Sequence, residues 1–340
     1  MSVVHLVVPG LLAPLPGASP RLPVVERSLA RADWAAFEGD DPAGVMLCVA
    51  GIRAPAGGDP PVGALSLLGE GRDPGRACWL RATPVHLRPD RDRLLLLDTT
   101  GFAPERSEAD ALVEMFNRHF AADGLTLEAP HPSRWYLRVA ACPALRTRSL
   151  GEALGRSPDG LLPSGPDSAR WRALLNETQM LFHGAGVNAS REARGVPALN
   201  GLWLDGAGVL PEPPVEPLAA AQGDAPLMAG IARLSGAECG PVPESPGRLP
   251  PADAGVMVLY ERILAAVRAG DDARRRAELE AFERWIAPLV QALGGCPGAQ
   301  LRIYPVDGRV IEVGRRALGR FWRRSRPLSR WVPNRSPTTP

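Results

Sequence analysis

Continuous apolar runs at residues 3–8 and 45–49, with a similar run at 94–97, read as strands of a sheet covered on both faces. Between them the hydrophobic period lengthens to that of a helix. Residues 107–120 place Leu112, Val113, Phe116 and Phe120 on one face, with Ser107 as the predicted cap. Trp171, Leu174, Leu175, Thr178, Leu181 and Phe182 mark a second amphipathic helix. The strongest helix spans 273–293: Leu279, Phe282, Trp285, Ile286, Leu289 and Leu293 form its stripe, Asp271 or Asp272 caps it, and Pro288 lies inside. Val256, Tyr260, Ile263, Leu264 and Val267 also have helical spacing. Residues 135–139 form a short aromatic strand. Asp307-Gly308, between two apolar segments, predicts a two-residue type I′ hairpin. The Pro- and Gly-rich stretches 211–226 and 241–251 read as loops. Strands alternating with helices predict an α/β fold with a doubly wound, mainly parallel sheet.

Composition narrows the chemistry. At 340 residues and 45% hydrophobic content, the chain suits either one large α/β domain or a main domain with an insert. A net charge of +2 gives no overall pull toward nucleic acid or membrane. All 39 basic residues are Arg, which excludes a Schiff-base lysine and a P-loop lysine. There is no G-x-S-x-G elbow of the kind esterases use. The scattered Cys48, Cys78, Cys142, Cys239 and Cys296 form no C-x-x-C pair, so small buried thiols in a reducing cytoplasm are expected. His5, His86, His119, His131 and His183 have no ligand-like spacing and are expected to be structural. The apolar start has no positive residue before it and is broken by Pro9, Pro14 and Pro16, so it reads as a first strand rather than a signal peptide. No apolar run reaches the roughly 20 residues that span a bilayer, so no integral membrane segment is expected.

Residues 174–211 (LLNETQMLFHGAGVNASREARGVPALNGLWLDGAGVLP) read as a helix, a loop carrying Asn188 and Arg191, and a strand ending in Gly206-Ala207-Gly208. This order resembles archaeal-type cofactor-independent phosphoglycerate mutases, whose pattern is H-P-V-N-x-x-R-x-x-x-G-x-x-P-A-N-x-x-W-x-x-G-x-G. Val187, Asn188, Arg191, Gly195, Asn200, Trp203, Gly206 and Gly208 fall in register. Pro197 sits one place early, and Gly186 replaces the family proline. Residues 61–74, 97–111, 135–139, 230–243 and 270–293 follow other family segments in the same order. Among bacterial proteins the chain is similar to the RpfE-type regulatory family. The carrying residues are Trp79-Leu80-Arg81-Ala82, Pro84-Val85-His86-Leu87, Arg134-Trp135-Tyr136-Leu137-Arg138 and the 188–208 segment.

The resemblance implies an alkaline-phosphatase-like fold: residues 1–83 and 166–313 as the main α/β domain, 84–165 as a smaller inserted α+β domain, and 314–340 as a basic tail. It also implies, for active members, two divalent cations about 4 Å apart that activate a serine. Here the first ligand position, an Asp-Gly after strand one, reads Pro9-Gly10. The Ser-Asp nucleophile pair falls at Pro60-Pro61. The D-E-x-G-H positions, counted back from Gly270-Asp271, are Leu264 and Arg268, and the last Asp-His reads Asp307-Gly308. No catalytic residue, metal ligand or cofactor is therefore assigned, and a non-catalytic regulatory or binding protein is expected. The alternative is an active phosphoglycerate mutase-like or other metal-dependent phosphoryl-transfer enzyme using Mn or Mg, in which His5, Asp98, Asp307 and another acid meet.

Two features bear on partners, expected to be an unidentified protein or a phosphorylated small molecule. Asn188, Arg191, Arg194 and Asn200 offer donors for an anion pocket; the competing reading has them satisfying loop backbone groups. The tail carries Arg315, Arg316, Arg320, Arg323, Arg324, Arg326, Arg330 and Arg335 and no acid, with Leu318, Phe321 and Trp322 predicted as a stripe on a short helix. It is expected to be partly disordered and solvated, with contact to an acidic surface as the alternative.

Overall fold

The computed structural model describes residues 3–39, 41–55, 57–90, 93–158, 160–248, 255–296 and 298–333. In chain order the elements are β1 (Val3–Val7), α1 (Pro23–Arg31), β2 (Asp33–Ala36), α2 (Pro42–Val49), α3 (Val62–Gly69), β3 (Cys78–Asp90), β4 (Arg93–Leu97), α4 (Arg106–His119), β5 (Thr126–His131) and β6 (Arg134–Val139). They continue with α5 (Leu150–Ala153), α6 (Ser168–His183), α7 (Gly186–Ala193), β7 (Gly201–Gly208), β8 (Ala220–Gln222), α8 (Pro226–Ser235) and β9 (Glu238–Gly240). The last elements are β10 (Val256–Leu259), α9 (Arg262–Arg268), α10 (Asp272–Gly295), β11 (Gln300–Tyr304), β12 (Arg309–Gly314) and α11 (Arg315–Leu318). They divide into two compact units, Met1–Ile52 with Pro213–Pro340, and Arg53–Glu212.

The first unit is built on a seven-stranded sheet of order β2-β12-β11-β1-β10-β8-β9. β1 runs parallel to both neighbours, with Val4 opposite Val256 on one side and Leu301 on the other. β8 and β9 extend the parallel part, while β12 and β2 are antiparallel. Leu6, Val258 and Ile303 of the sheet pack in one core with Leu29 of α1 and Leu279, Phe282 and Ile286 of α10. Asp271 caps α10, accepting from the Arg274 amide at 2.9 Å.

Several expectations change in this unit. The apolar run 45–49 is a helix, α2, not a strand. Pro42 at its first turn and the Asp41 carboxylate, which accepts from the Ala43 and Gly44 amides, start a helix that a short all-apolar run does not distinguish from a strand. The predicted loop 211–226 contains β8, a three-residue strand too short to show a period. Within the predicted loop 241–251, residues 249–251 lie outside the described residues. Residues 256–259 are strand, and the helical register of the predicted 256–267 segment starts only at α9. The link between β11 and β12 has four residues, 305–308, with Val306 and Gly308 at φ 64 and 84, and so is not a two-residue turn.

The basic tail is docked as far as Trp331. Leu328 is buried in the core, Trp331 stacks on Trp34 at 5.0 Å, and Arg320 grips the Asp33 carboxylate with two nitrogens at 2.6 and 2.9 Å. Leu318 ends α11, so Phe321 and Trp322 lie beyond the helix predicted to carry them. Residues 334–340, with Arg335, lie outside the described residues.

The second unit holds an antiparallel five-stranded sheet, β4-β3-β6-β5 with β7 also paired to β3. It starts at Arg53 and ends at Glu212, wider than the expected 84–165. The reason lies in β3: this single 13-residue strand pairs with β6 before residue 84, with β4 after it, and with β7 across it, so no boundary can fall there. Helix α4 is capped by Glu105 rather than Ser107, in a capping box with Glu108. Trp171 and Phe182 of α6 join Phe116, Trp135 and Leu137 in the core of this unit.

Cys78, at the start of β3, is bonded to Cys142, just beyond β6, and the other three cysteines are exposed. The expectation of five buried thiols therefore fails. No helix among the described residues is long and apolar enough to cross a membrane. The disulfide closes a loop of sequence separation 64, which restricts the unfolded chain. Cys142→Ser is expected to lower unfolding free energy by about 2–4 kcal/mol. Denaturant unfolding of the variant and of the wild type under reducing and non-reducing conditions checks this, with the reduced wild type matching the variant.

Candidate functional site

The segment 174–211 folds as the end of α6, then α7, then β7, so Asn188 and Arg191 lie on a helix and not in the predicted loop. Asn188 is buried and spends both ends of its amide on backbone. Its nitrogen donates to the carbonyls of Phe182 (2.8 Å) and Leu199 (3.0 Å), and its oxygen accepts from the Leu199 amide (2.8 Å). Asn200 does the same to β3, accepting from the Leu87 amide at 2.7 Å and donating to the Leu87 carbonyl at 3.0 Å. These two amides fix the segment that leads into β7.

Arg191 is 1% exposed, and each part of its guanidinium has a partner. Nε donates to Pro197 O at 2.9 Å, Nη2 to Phe102 O at 2.6 Å, and Nη1 pairs with the Glu108 carboxylate. Arg194, half exposed, grips the other Glu108 oxygen and lies 3.4 Å from Glu105. Burial of Glu108 works against ionisation, but the Glu105 amide and the guanidiniums of Arg194 and Arg191 outweigh it and hold its carboxyl below its ordinary range. A cleft of about 330 Å³ opens here, lined among others by Phe102, Glu105, Glu108, Arg191, Arg194 and Pro197. Two guanidiniums meet two carboxylates in it. The structure thus brings Arg191 and Arg194 together as predicted for an anion pocket, but Glu108 already takes the anion's place, and Asn188 and Asn200 face backbone.

The G-x-G that ends β7 serves packing. A Cβ on Gly206 would lie 2.6 Å from the Val62 side chain, and one on Gly208 would lie 2.7 Å from the Pro61 backbone, so both glycines let the start of α3 lie directly on the strand. Behind them is a buried polar network that sequence reading missed. Asp59 accepts from the Thr147 amide (3.0 Å) and hydroxyl, while Asp205 binds Arg81 Nε (2.6 Å) and the Leu150 amide (3.2 Å). Burial raises the Asp59 pKa, opposed by the Thr147 hydrogen bonds.

In the first unit the carboxyl ends of the parallel strands are where such a sheet places a ligand. Loop 8–14 after β1 is held by Arg275 of α10, 3% exposed. Its guanidinium donates to the carbonyls of Gly10 (3.4 Å), Ala13 and Pro14. Beyond β10 stand Tyr260 and Glu261, so the strand end offers one carboxylate where counting from Gly270 had placed Leu264. Asp307 is bound to Arg309, with Nε at 3.0 Å. His5 Nδ1 is 2.8 Å from the Tyr304 hydroxyl; burial first, then Arg302, push its pKa down to about 4, so the ring is neutral near pH 7. Asp98 accepts from the Thr100 amide at 3.1 Å. Among the described residues no three His, Cys, Asp or Glu side chains gather as a metal site requires. The donors present do not fit the two-metal centre that the resembled mutases use.

Three of these residues had a signal in the sequence. Arg275 lies four before Leu279, on the stripe with Phe282 and Ile286, and a charge on a buried stripe must find partners. Glu105 and Glu108 have capping-box spacing, which the competing Ser107 obscured. The Asp59–Thr147 and Asp205–Arg81 contacts join residues 88 and 124 apart, and no local pattern announces them.

No protein-family model matches the chain, and no curated protein matches it in sequence. Among solved structures, the cofactor-independent phosphoglycerate mutase from Thermoplasma acidophilum DSM 1728 aligns over 91% of this chain and 88% of its own, at 18% identity and TM-score 0.45. The PH0037 protein from Pyrococcus horikoshii aligns over 92% of this chain and 87% of its own, at 16% identity and TM-score 0.53. The latter likeness shows a shared fold. The chain has a mixed α/β fold, shared with the PH0037 protein.

Glu108→Gln is expected to cost about 3–5 kcal/mol, because Arg191 keeps its buried charge and loses its counter-ion. The ionised carboxylate is favoured in the fold, so its stabilisation is full above the ordinary Glu range and is lost as pH falls through the lowered folded value. Unfolding curves recorded across the acid range check both effects: the variant is less stable at neutral pH, and its acid limb is flatter than the wild type's.

Proposed function

We propose that this chain is a non-catalytic binding or regulatory protein, carried on a phosphoglycerate mutase-like scaffold and allied to the RpfE-type regulators it resembles. The observation that supports this reading is the guanidinium of Arg275 at the end of β1, donating to the carbonyls of Gly10, Ala13 and Pro14. In the resembled enzymes that turn starts the metal site. Here the Pro9 side chain offers no donor atom, and the neighbouring carbonyl oxygens already serve a fixed cation. A divalent ion placed about 5 Å from that guanidinium would meet repulsion on the order of several kcal/mol at a near-surface dielectric. The partner fitted to such a protein is another protein or a phosphorylated small molecule bound without turnover.

Two measurements test this. Purified protein incubated with phosphoglycerate and manganese is expected to interconvert nothing above a blank, and calorimetric titration with manganese to give no saturable heat. Turnover that needs manganese and disappears with a chelator would sink the proposal.

A further inference from the structure

Five large apolar side chains are well exposed among the described residues, and two of them are adjacent: Phe321 at 79% and Trp322 at 66%. They lie in a nine-residue link, 319–327, held at both ends. Before it, Ala317 is buried and Arg31 donates to the Leu318 carbonyl at 2.7 Å; after it, Leu328 is buried in the core. Within it, Arg320 grips Asp33, and Arg323 donates to Ala32 O at 3.0 Å. The link is therefore fixed to the body of its unit while the two rings face water.

Along the segment itself the charge has one sign, and its one ion pair among the described residues is Arg320 with Asp33. Arg315, Arg316, Arg324, Arg326 and Arg330 are exposed, and none has a side-chain ion pair or hydrogen bond among the described residues. The segment 314–333 has no acidic residue.

We infer that the 315–330 segment is a docking surface for anionic lipid headgroups, with Phe321 and Trp322 as the part that enters the bilayer interface. An apolar anchor and a polybasic patch each give only weak membrane attachment, and together they give a stable one. Phe is wholly apolar and Trp is apolar with one donor, which suits the boundary between headgroups and acyl chains. Arginines flanking them match negative headgroup phosphates and fall within the short range over which a charged surface acts. The ring geometry favours lipid over single-stranded nucleic acid. Phe321 and Trp322 meet edge to face, with centroids 5.4 Å apart and planes at 81°, so they form a wedge and not the parallel platform on which successive bases stack.

The test uses the full chain and sedimentation with two vesicle types, pure phosphatidylcholine and phosphatidylcholine mixed with phosphatidylglycerol. Binding is expected to the mixed vesicles alone and to weaken as salt is raised. The double variants Phe321→Ala/Trp322→Ala and Arg324→Glu/Arg326→Glu are each expected to weaken it on the order of tenfold. These side chains are exposed, so thermal melting by circular dichroism should match the wild type. Absence of binding to the mixed vesicles overturns the inference. So does binding that survives loss of both rings, or a single-stranded oligonucleotide held more tightly than the mixed vesicles.

Discussion

A guanidinium carried out of water needs carbonyls or carboxylates for its donors, and this chain buries one in each unit. Arg191 joins α7 to α4 through Glu108 and to the loops at Phe102 and Pro197. Arg275 joins α10 to the turn after β1. With lysine absent from the sequence, every such cationic position falls to a side chain whose planar fork can serve several acceptors at once. The packing around both hubs follows from that demand: removing the acceptor is costly, because the charge stays behind.

Scaffold contacts also occupy the segment whose residue order resembles the mutase pattern. In the 188–208 stretch the amides of Asn188 and Asn200 complete backbone hydrogen bonds, the glycines of β7 make room for α3, and Trp203 donates to Arg148 O at 2.8 Å. All of these are tasks of the scaffold. The resemblance read in that segment therefore rests on residues that hold strands and helices together.

Elements whose signal is local were legible in the sequence. The stripe on α10, the apolar run of β1 and the aromatic strand β6 are found where periodicity puts them. Short or wholly apolar pieces were not, because α2 has no polar face to set a period and β8 has only three residues. The extent of the inserted unit was hidden for a different reason. β3 reads as several fragments interrupted by Pro84 and Pro89, and only its pairing with β4, β6 and β7 reveals one continuous strand. At the candidate site, sequence alone selected Arg191 and Arg194 but not the carboxylate that neutralises them, since Glu108 lies 83 residues from Arg191.

The Cys78–Cys142 bond also sets how the second unit answers to force. Tension pulled along the chain enters at the start of β3 and can cross directly through the two sulfurs to residue 142. β4, α4, β5 and β6 then hang from that bridge as a closed covalent ring and bear no load. A protease that cuts a loop inside the ring would release no fragment until the bridge is reduced. The core formed by Phe116, Trp135 and Leu137 is thus shielded mechanically by a bond whose Cys78 end is packed within it.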